Sequence, residues 1–427
     1  MTDRPVIMVG FVPVAVTSLA EFQPDRSVII IDEPDVIRKR GVRAQVADSP
    51  VVREVIDWEY QLPGAADAFV NAHPDLVPAA VGPLQEYATP FAARLAERYG
   101  LPGAGFGAAQ ILRDKELTRK VTTAAGIPNP RSTAVADASE VRKFMELHEG
   151  PVVLKPANRQ GSTGTRILTS ADEVDAAWIE CTDHDEGVFV PDRPREVRML
   201  VEQYVAGAEY SVEMLVDRGT PLFANVTEKI LFPGDRPVEM GHAVPAGIPE
   251  ELRGELYERT RQVLRAVGFG SGVVHCEWIV SGGTPFLVEC AGRFAGDGII
   301  DLIERAYPVE LVRHFWTLMK GGPLPGPLPS SAERAAAVRF LHARPGLVET
   351  VAGLERAREV PDVVSCNVAV KAGDRVRKLR SSKERIGAAV AVAGTEREAR
   401  RRTEEALAEV DIVTVPEASE ASETSES

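Results

Sequence analysis

Lysines, glutamates and a glycine-rich loop recur along this chain at spacings that suit phosphate and metal chemistry. In PVVLKPANRQGSTGTRIL (151–168) an apolar strand carries Lys155 into a loop with Gly161, Ser162 and Gly164, and a second strand follows. Glycines let backbone amides approach phosphate closely, and a lysine beside them places a point charge against it. An ordinary glycine hairpin with a solvated lysine fits the same residues, and without GxxxxGK[ST] the loop is not a P-loop. Lys115 stands near the start of a helix expected in ILRDKELTRKVTTAAGIPNP (111–130), stopped by Gly126 and Pro128. Alone, it reads as part of a solvated helix face. In MLVEQYVAGAEYSVEMLVD (199–217), extended backbone at Glu202, Gln203, Tyr204 and Val205 can offer C=O and N–H groups to an adenine edge. Glu209, further along, can accept ribose hydroxyls, and a charged hairpin is the plainer alternative.

The segment GVVHCEWIVSGGTPFLVECAGRFAGDGI (272–299) reads as two strands around Ser281-Gly282-Gly283. Each strand carries one carboxylate, Glu277 or Glu289, which neighbouring strands can bring to one metal ion. Period-two alternation turns Cys276 and Cys290 to the opposite face, as packing. Arg293 has the planar fork that holds a phosphoryl group or a carboxylate. For an isolated pair of glutamates a structural role is the commoner one.

The elements that must position these residues follow from pattern. In the first hundred residues the apolar runs RPVIMVGF, SVIIIDE and AFVNA, then the long segment GPLQEYATPFAARLAERYGLPG, predict a small α/β domain with a largely parallel sheet. GFVPVAV after the first strand is not GxGxxG, so dinucleotide binding is not supported. Asp137 with Glu140, Ser170 with Glu173 and Thr395 with Glu398 mark helix starts. Leu252, Leu256, Val263 and Val267 line one face of a helix between Pro249 and Gly268. GGPLPGPLPSS (321–331) interrupts helix and sheet alike and reads as a linker, with a smaller α/β region beyond it. The acidic EASEASETSES (417–427) is expected to be a disordered tail.

The whole chain bounds what these elements can be. Its 427 residues allow two to four domains. An excess of 63 acidic over 49 basic residues, net −14, disfavours nonspecific nucleic-acid or anionic-lipid binding, so an anionic ligand needs a local basic pocket. No apolar run approaches the length of about 18 residues needed to span a membrane. MTDRPVIMVG lacks the features of a signal peptide, so a cytoplasmic location is expected. Cys181, Cys276, Cys290 and Cys366 show no CxxC or zinc spacing and are expected to be reduced, buried thiols.

Taken in order, the Lys115 helix, the Lys155 strand and loop, EQYVAGAE and the paired glutamate strands resemble the ATP-grasp superfamily over residues 1–416. VEMGHAVP (238–245), VECAGRFAGDGI (288–299) and RIGAAVAVAGTEREARRRTEEAL (385–407) are most similar to its L-amino acid ligases. The resemblance implies an α/β and α+β multidomain ATP-grasp fold. Its parts would be an N-terminal parallel-sheet domain (1–108), an ATP-grasp domain with a glycine-loop lid (109–320), a linker (321–334) and a small C-terminal α/β domain (335–416). The implied activity is ATP-dependent joining of an amino acid carboxylate to an amine, another amino acid by expectation, through an acyl phosphate with release of ADP and phosphate.

The resemblance also implies residue roles. Lys115, Lys155 and the loop of Gly161, Ser162 and Gly164 would contact ATP phosphates. The backbone at Glu202, Gln203 and Val205 would hold adenine, and Glu209 the ribose. Glu277 and Glu289 would bind Mg²⁺, with Mn²⁺ as a substitute, and Lys229 would add positive charge. Glu239, His242 and Asp297 belong to the amino acid pocket, and Arg293 and Gly296 would steady the acyl phosphate and tetrahedral intermediate. Many members carry Asn where this chain has Ala291, which leaves a metal-ligand role to water or to bidentate Glu289. Asp297 stands where some amino acid ligases have a bulky aromatic, so substrate identity stays open. A biotin-carboxylase-like enzyme and a non-catalytic nucleotide-binding protein are the alternatives; no MKM-like biotin-carrier segment appears. Expected partners are small molecules, without nucleic acid or membrane, and a homodimer is left open.

Overall fold

The computed structural model describes residues 4–182, 187–234 and 236–416; the acidic segment 417–427 lies outside the described residues. Four strands open the chain: β1 (Val6–Val9), β2 (Val28–Asp32), β3 (Val52–Asp57) and β4 (Ala80–Pro83). All are parallel, in the order β3-β2-β1-β4. β1 and β2 are buried throughout, because helices covering both faces of a parallel sheet require unbroken apolar runs. The run AFVNA falls in the helix Ala65–Ala72, and the third strand is instead the half-exposed VREVID.

A second sheet contains β5 (Ser132–Val135), β6 (Val152–Pro156), β7 (Arg166–Leu168) and β8 (Met199–Gln203), antiparallel in the order β5-β8-β6-β7. Helices Ala138–Leu147 and Val174–Thr182 lay Val141, Phe144, Val174 and Ala177 against its core. Asp137 caps the first of them by accepting from the Ser139 and Glu140 amides, while Glu140 reaches back to the Ala136 amide. Between β6 and β7, residues Gly161, Ser162 and Gly164 have left-handed backbone. A Cβ at Gly164 would stand 2.9 Å from the Cys181 carbonyl oxygen, so glycine is required there twice over.

The remaining strands are β9 (Ala208–Asp217), β10 (Thr220–Leu231), β11 (Glu239–Val244), β12 (Gly272–Ser281), β13 (Thr284–Ala291), β14 (Ala335–Leu341), β15 (Gly346–Ala352), β16 (Val363–Val368), β17 (Arg375–Val376), β18 (Gly387–Ala393) and β19 (Asp411–Val415). Eight of them form one antiparallel sheet in the order β13-β12-β9-β10-β11-β14-β18-β16, and β17-β15-β19 make a small sheet beside it. The stretch 321–334 holds no helix or strand, yet the strands after it continue the central sheet, because β14 pairs with the edge that β11 would otherwise expose. Small side chains permit this join: Ala243, Ala337, Ala393 and Ala399 pack together, which lets the helix Glu396–Ala408 lie close on the sheet.

β12 and β13 meet at Gly282 and Gly283, both at positive φ, as a tight type I′ hairpin demands. Cys276, Trp278, Leu287 and Cys290 face the core under the helix Glu250–Val267, where Trp278 Nε1 donates to Thr260 Oγ1 at 3.0 Å. All four cysteines are buried free thiols. The N-terminal and central sheets share one apolar core, in which Met8 and Ile30 join Leu215, Val273, Ile303, Phe315 and Ala336. Among the described residues, no helix is long and apolar enough to cross a membrane.

Candidate active site

The register of β12 on β13 sets Glu277 opposite Glu289. His275 and Glu277 lie on the face of β12 away from the Cys276 and Trp278 core, as period-two alternation requires. β10 runs beside this face and delivers Lys229, whose Nζ lies 2.7 Å from Glu277 Oε1, 3.1 Å from Glu239 Oε1 and 3.7 Å from Glu209 Oε2. Lys115, the first residue of the helix Lys115–Ala124, is aimed by its N-cap Asp114. Its Nζ sits 2.9 Å from Glu289 Oε2 and donates to the Arg159 carbonyl at 2.9 Å. Each of the facing glutamates therefore already holds an ammonium group.

Burial and charge compete across this cluster. For Glu209, burial is the largest influence and, with Glu277 and Glu239 nearby, outweighs Lys229, so its pKa is pushed up to about 7. For Glu277, burial also acts upward, but Lys229 and His275 prevail and hold the carboxyl well below its usual range. Burial pulls Lys155 down despite its partner Glu202. Burial pulls on Lys115 too, but Glu289 and Glu86 win and its pKa is raised.

The other end of the cavity belongs to Lys155 on β6, whose Nζ is 2.5 Å from Glu202 Oε2. Glu202 also takes Arg119 through Nε at 2.7 Å and Nη2 at 3.3 Å, so its side chain is spent on buried ion pairs. The Gln203 amide donates to Arg131 and the Tyr204 amide to Pro151, and Val205 follows them at the strand's end.

Also lining this cavity, His242 has its Nε2 3.2 Å from Asp297 Oδ2, while its Nδ1 is buried with no partner. Asp297, with φ of +55°, receives a two-pronged bond from Arg385 at 2.7 and 2.5 Å. Burial would raise the Asp297 pKa, but Arg385 and His242 together hold it below the ordinary range. Its carboxylate is thus engaged within the protein. Arg385 also donates to the Glu239 carbonyl at 3.2 Å and lies 3.8 Å over the Phe340 ring. Arg293 donates to Glu86 at 3.0 Å and to the Phe294 carbonyl at 2.8 Å.

One cavity of about 220 Å³ collects all the site residues expected from sequence except Gly164, which shapes the loop from outside the lining. Sequence reasoning passed over Arg119, Glu86, Arg385 and His275. His275 stands two residues before Glu277 on the same strand face, and its ring reaches Glu277 Oε1 through Nε2 at 3.0 Å and Glu213 Oε1 through Nδ1 at 2.9 Å. Glu213 is itself held by Ser211, Asn225 and Thr227. His275 is also the cross-strand partner of Ala291, so the small alanine faces an imidazole. Among the described residues no group of three or more His, Cys, Asp or Glu forms a full cation cage. Two facing carboxylates nevertheless fit Mg²⁺, which takes one or two protein carboxylates and completes its shell with water and phosphate oxygens.

Residues 148–301 match the ATP-grasp domain family, and residues 339–415 match the L-amino acid ligase C-terminal domain 2 family. The chain therefore carries an ATP-grasp domain followed by an L-amino acid ligase C-terminal domain. This ATP-grasp chain is 28% identical over 319 residues to an uncharacterized protein of Sinorhizobium fredii, covering 74% of this chain and 64% of that one. It is 24% identical over 235 residues to an alanine–anticapsin ligase of Bacillus subtilis, covering 52% and 49%. With a D-alanine–D-alanine ligase of Pseudomonas putida the figures are 28% over 179 residues, covering 41% and 53%. The matches therefore span roughly half to two thirds of these relatives' lengths. The crystal structure of an L-amino acid ligase from Bacillus licheniformis superposes with a TM-score of 0.78 at 18% identity, covering 96% of this chain and 99% of that one. A phosphoribosylglycinamide synthetase from Anaerococcus prevotii gives 0.69 at 15% identity, covering 96% and 100%. At these identities the likeness is one of fold.

Proposed function

We propose that this chain is an ATP-dependent carboxylate–amine ligase that joins an amino acid carboxylate to an amine through an acyl phosphate, releasing ADP and phosphate. The observation that carries the reading is the convergence, in one cavity, of the facing Glu277 and Glu289 with Lys115, Lys155, Lys229 and Arg293. The matches to ATP-grasp and ligase C-terminal families, and to relatives named as ligases, support it.

In this reading Lys115 and Lys155 hold the triphosphate, and their present carboxylate partners, Glu289 and Glu202, keep them oriented when no phosphate is there. The Val205 backbone meets adenine and Glu209 the ribose. Glu277 and Glu289 hold Mg²⁺, which when bound neutralises the phosphate charge that develops during transfer. Lys229 ties the metal side to Glu239, placed to take the substrate ammonium. His242 lies with Glu239 on the amino acid, and Arg293 and the Gly296 backbone face the reacting carbonyl, where one donor lost from an oxyanion site costs about 3–4 kcal/mol. The loop 157–165 closes over the acyl phosphate and excludes water. Phosphate release measured over pairs of amino acids, with and without Mg²⁺, tests the reading. Mg²⁺-dependent ADP and phosphate are expected; AMP and pyrophosphate would overturn it.

A further inference from the structure

We propose that the amine joined by this chain carries an apolar side chain, which lodges in a second cavity between the helix Pro13–Ala20 and the helices Ile299–Ala306 and Leu311–Met319. This rests on the ligase reading above. The cavity has a volume of about 550 Å³ and opens onto the reaction centre, since Arg293, Gly296, Asp297 and the loop residues Gln160 and Gly161 line it and the nucleotide cavity alike. A carboxylate undergoing activation must meet the γ-phosphoryl group on the lysine and glutamate side. The attacking nitrogen then has the other side of Arg293 and Gly296 from which to reach the acyl carbon. Its lone pair forms the C–N bond, the bond from carbon to the phosphoryl oxygen breaks, and phosphate leaves with that electron pair and a proton from nitrogen.

The wall farther from the centre consists of Val14, Ala15, Leu84, Phe294, Ile300 and Val312. All but Val14 are half-buried, with one face packed on the shared core and another left to the cavity; Val14 is 69% exposed. The acids nearby are engaged: Glu86 with Arg293 at 3.0 Å, Asp301 with Arg305 at 2.6 Å, and Glu304 with the Val312 amide at 3.0 Å. A concave apolar wall with its charges satisfied selects by burial of apolar surface. A cationic or acidic side chain would give up its hydration along that wall, where the charged groups of the lining, Lys383 and Glu304 among them, are already engaged by protein groups.

The test begins with the intact chain, ATP, Mg²⁺, hydroxylamine and each proteinogenic amino acid in turn. Hydroxamate formation identifies the carboxylate, and its absence with every amino acid would overturn the ligase reading and this inference with it. With that carboxylate fixed, glycine, lysine, glutamate, leucine and phenylalanine are compared as amines. Leucine and phenylalanine are expected to exceed the others in kcat/KM by about ten-fold or more. Ala15→Trp fills the cavity, and Val14→Asp charges its mouth at an exposed position where folding is not at stake. Both should lower kcat/KM for leucine and phenylalanine about ten-fold, yet leave hydroxamate formation from the side-chain-free hydroxylamine within about two-fold. A wild-type preference for glycine or charged amines, equal loss with hydroxylamine and leucine, or no loss with leucine would each show that the cavity does not hold the side chain. The ligase reading would survive those results, because wild-type hydroxamate formation establishes it separately.

Discussion

Asp297 and Glu209 are both partly buried carboxylates beside a lysine or arginine, and their pKa values shift in opposite directions. For Asp297 the Arg385 fork and His242 beat burial, so the folded pKa is depressed. Its contribution to stability is present above the unfolded value and lost as pH falls through the folded one. Asp297→Asn should cost about 2–3 kcal/mol at pH 7, because it leaves Arg385 largely buried and half-paired. In urea melts at several pH values, the gap to wild type should narrow below about pH 4; a constant gap would mean the ion pair contributes nothing. Glu209 is the reverse case, since a carboxyl raised to about 7 stabilises the fold only while protonated. Its contribution is full below the unfolded value and lost as pH rises through 7. Glu209→Gln should therefore gain about 1–3 kcal/mol at pH 8, moderated by what Lys229 loses, while the KM for ATP rises. Unchanged stability and unchanged KM together would remove Glu209 from the site. Glu277, Glu289, Lys115 and Lys155 could be singled out because strand patterns and a helix start place them, but each was ambiguous by itself and only their order along the chain joined them into one candidate site. Arg385 and Glu86 were not singled out, since they come to Asp297 and Arg293 from distant parts of the chain. His275 had a local signal, its two-residue offset from Glu277.

The hairpin β12–β13 shows how a turn sets chemistry at the level of an element. Gly282 and Gly283 start the register by setting Ser281 against Thr284, and a one-residue shift between Glu277 and Trp278 then brings Glu277 opposite Glu289 where the turn alone would have set it against Val288. Gly282→Val should cost about 1–2 kcal/mol and reduce Mg²⁺-dependent turnover further than that loss explains. Gly282→Asn, which tolerates the left-handed turn, should retain both. Equal behaviour of the two variants in denaturation and turnover would show that the turn does not govern register. The hairpin and the helix Glu250–Val267 were readable because their signals are local: paired glycines, apolar spacing, and Gly268 at φ +69° ending the helix. β3 was hidden because VREVID alternates charge with aliphatics at a half-exposed position, and AFVNA is too short for periodicity to separate helix from strand.

At the scale of the whole molecule, three sheets supply one site. The N-terminal domain brings Glu86 to Arg293, the second sheet brings Lys155 and Glu202, and the central sheet brings Glu277 and Glu289 with Lys229 and His242. The α/β pattern and the order of parts were apparent from sequence. The continuation of the central sheet through β14, β18 and β16 was not, because strand pairing across a proline-rich stretch leaves no local mark. A chain ended at residue 320 should aggregate rather than bind ATP, since it would expose the β11 edge and uncover Ala243. Size-exclusion chromatography and circular dichroism of that truncation would decide, and a monomeric, ATP-binding product would show that the parts fold independently. The Arg385 fork on Asp297 also has a consequence in time. The two residues are 88 apart, so at ribosomal rates of about 5–20 residues per second, Asp297 waits roughly 4–18 s for its partner to be made. During synthesis the side of the cavity that holds Lys115, Lys155, Glu277 and Glu289 can assemble first, and the side around Asp297 cannot be completed until residue 385 has been translated.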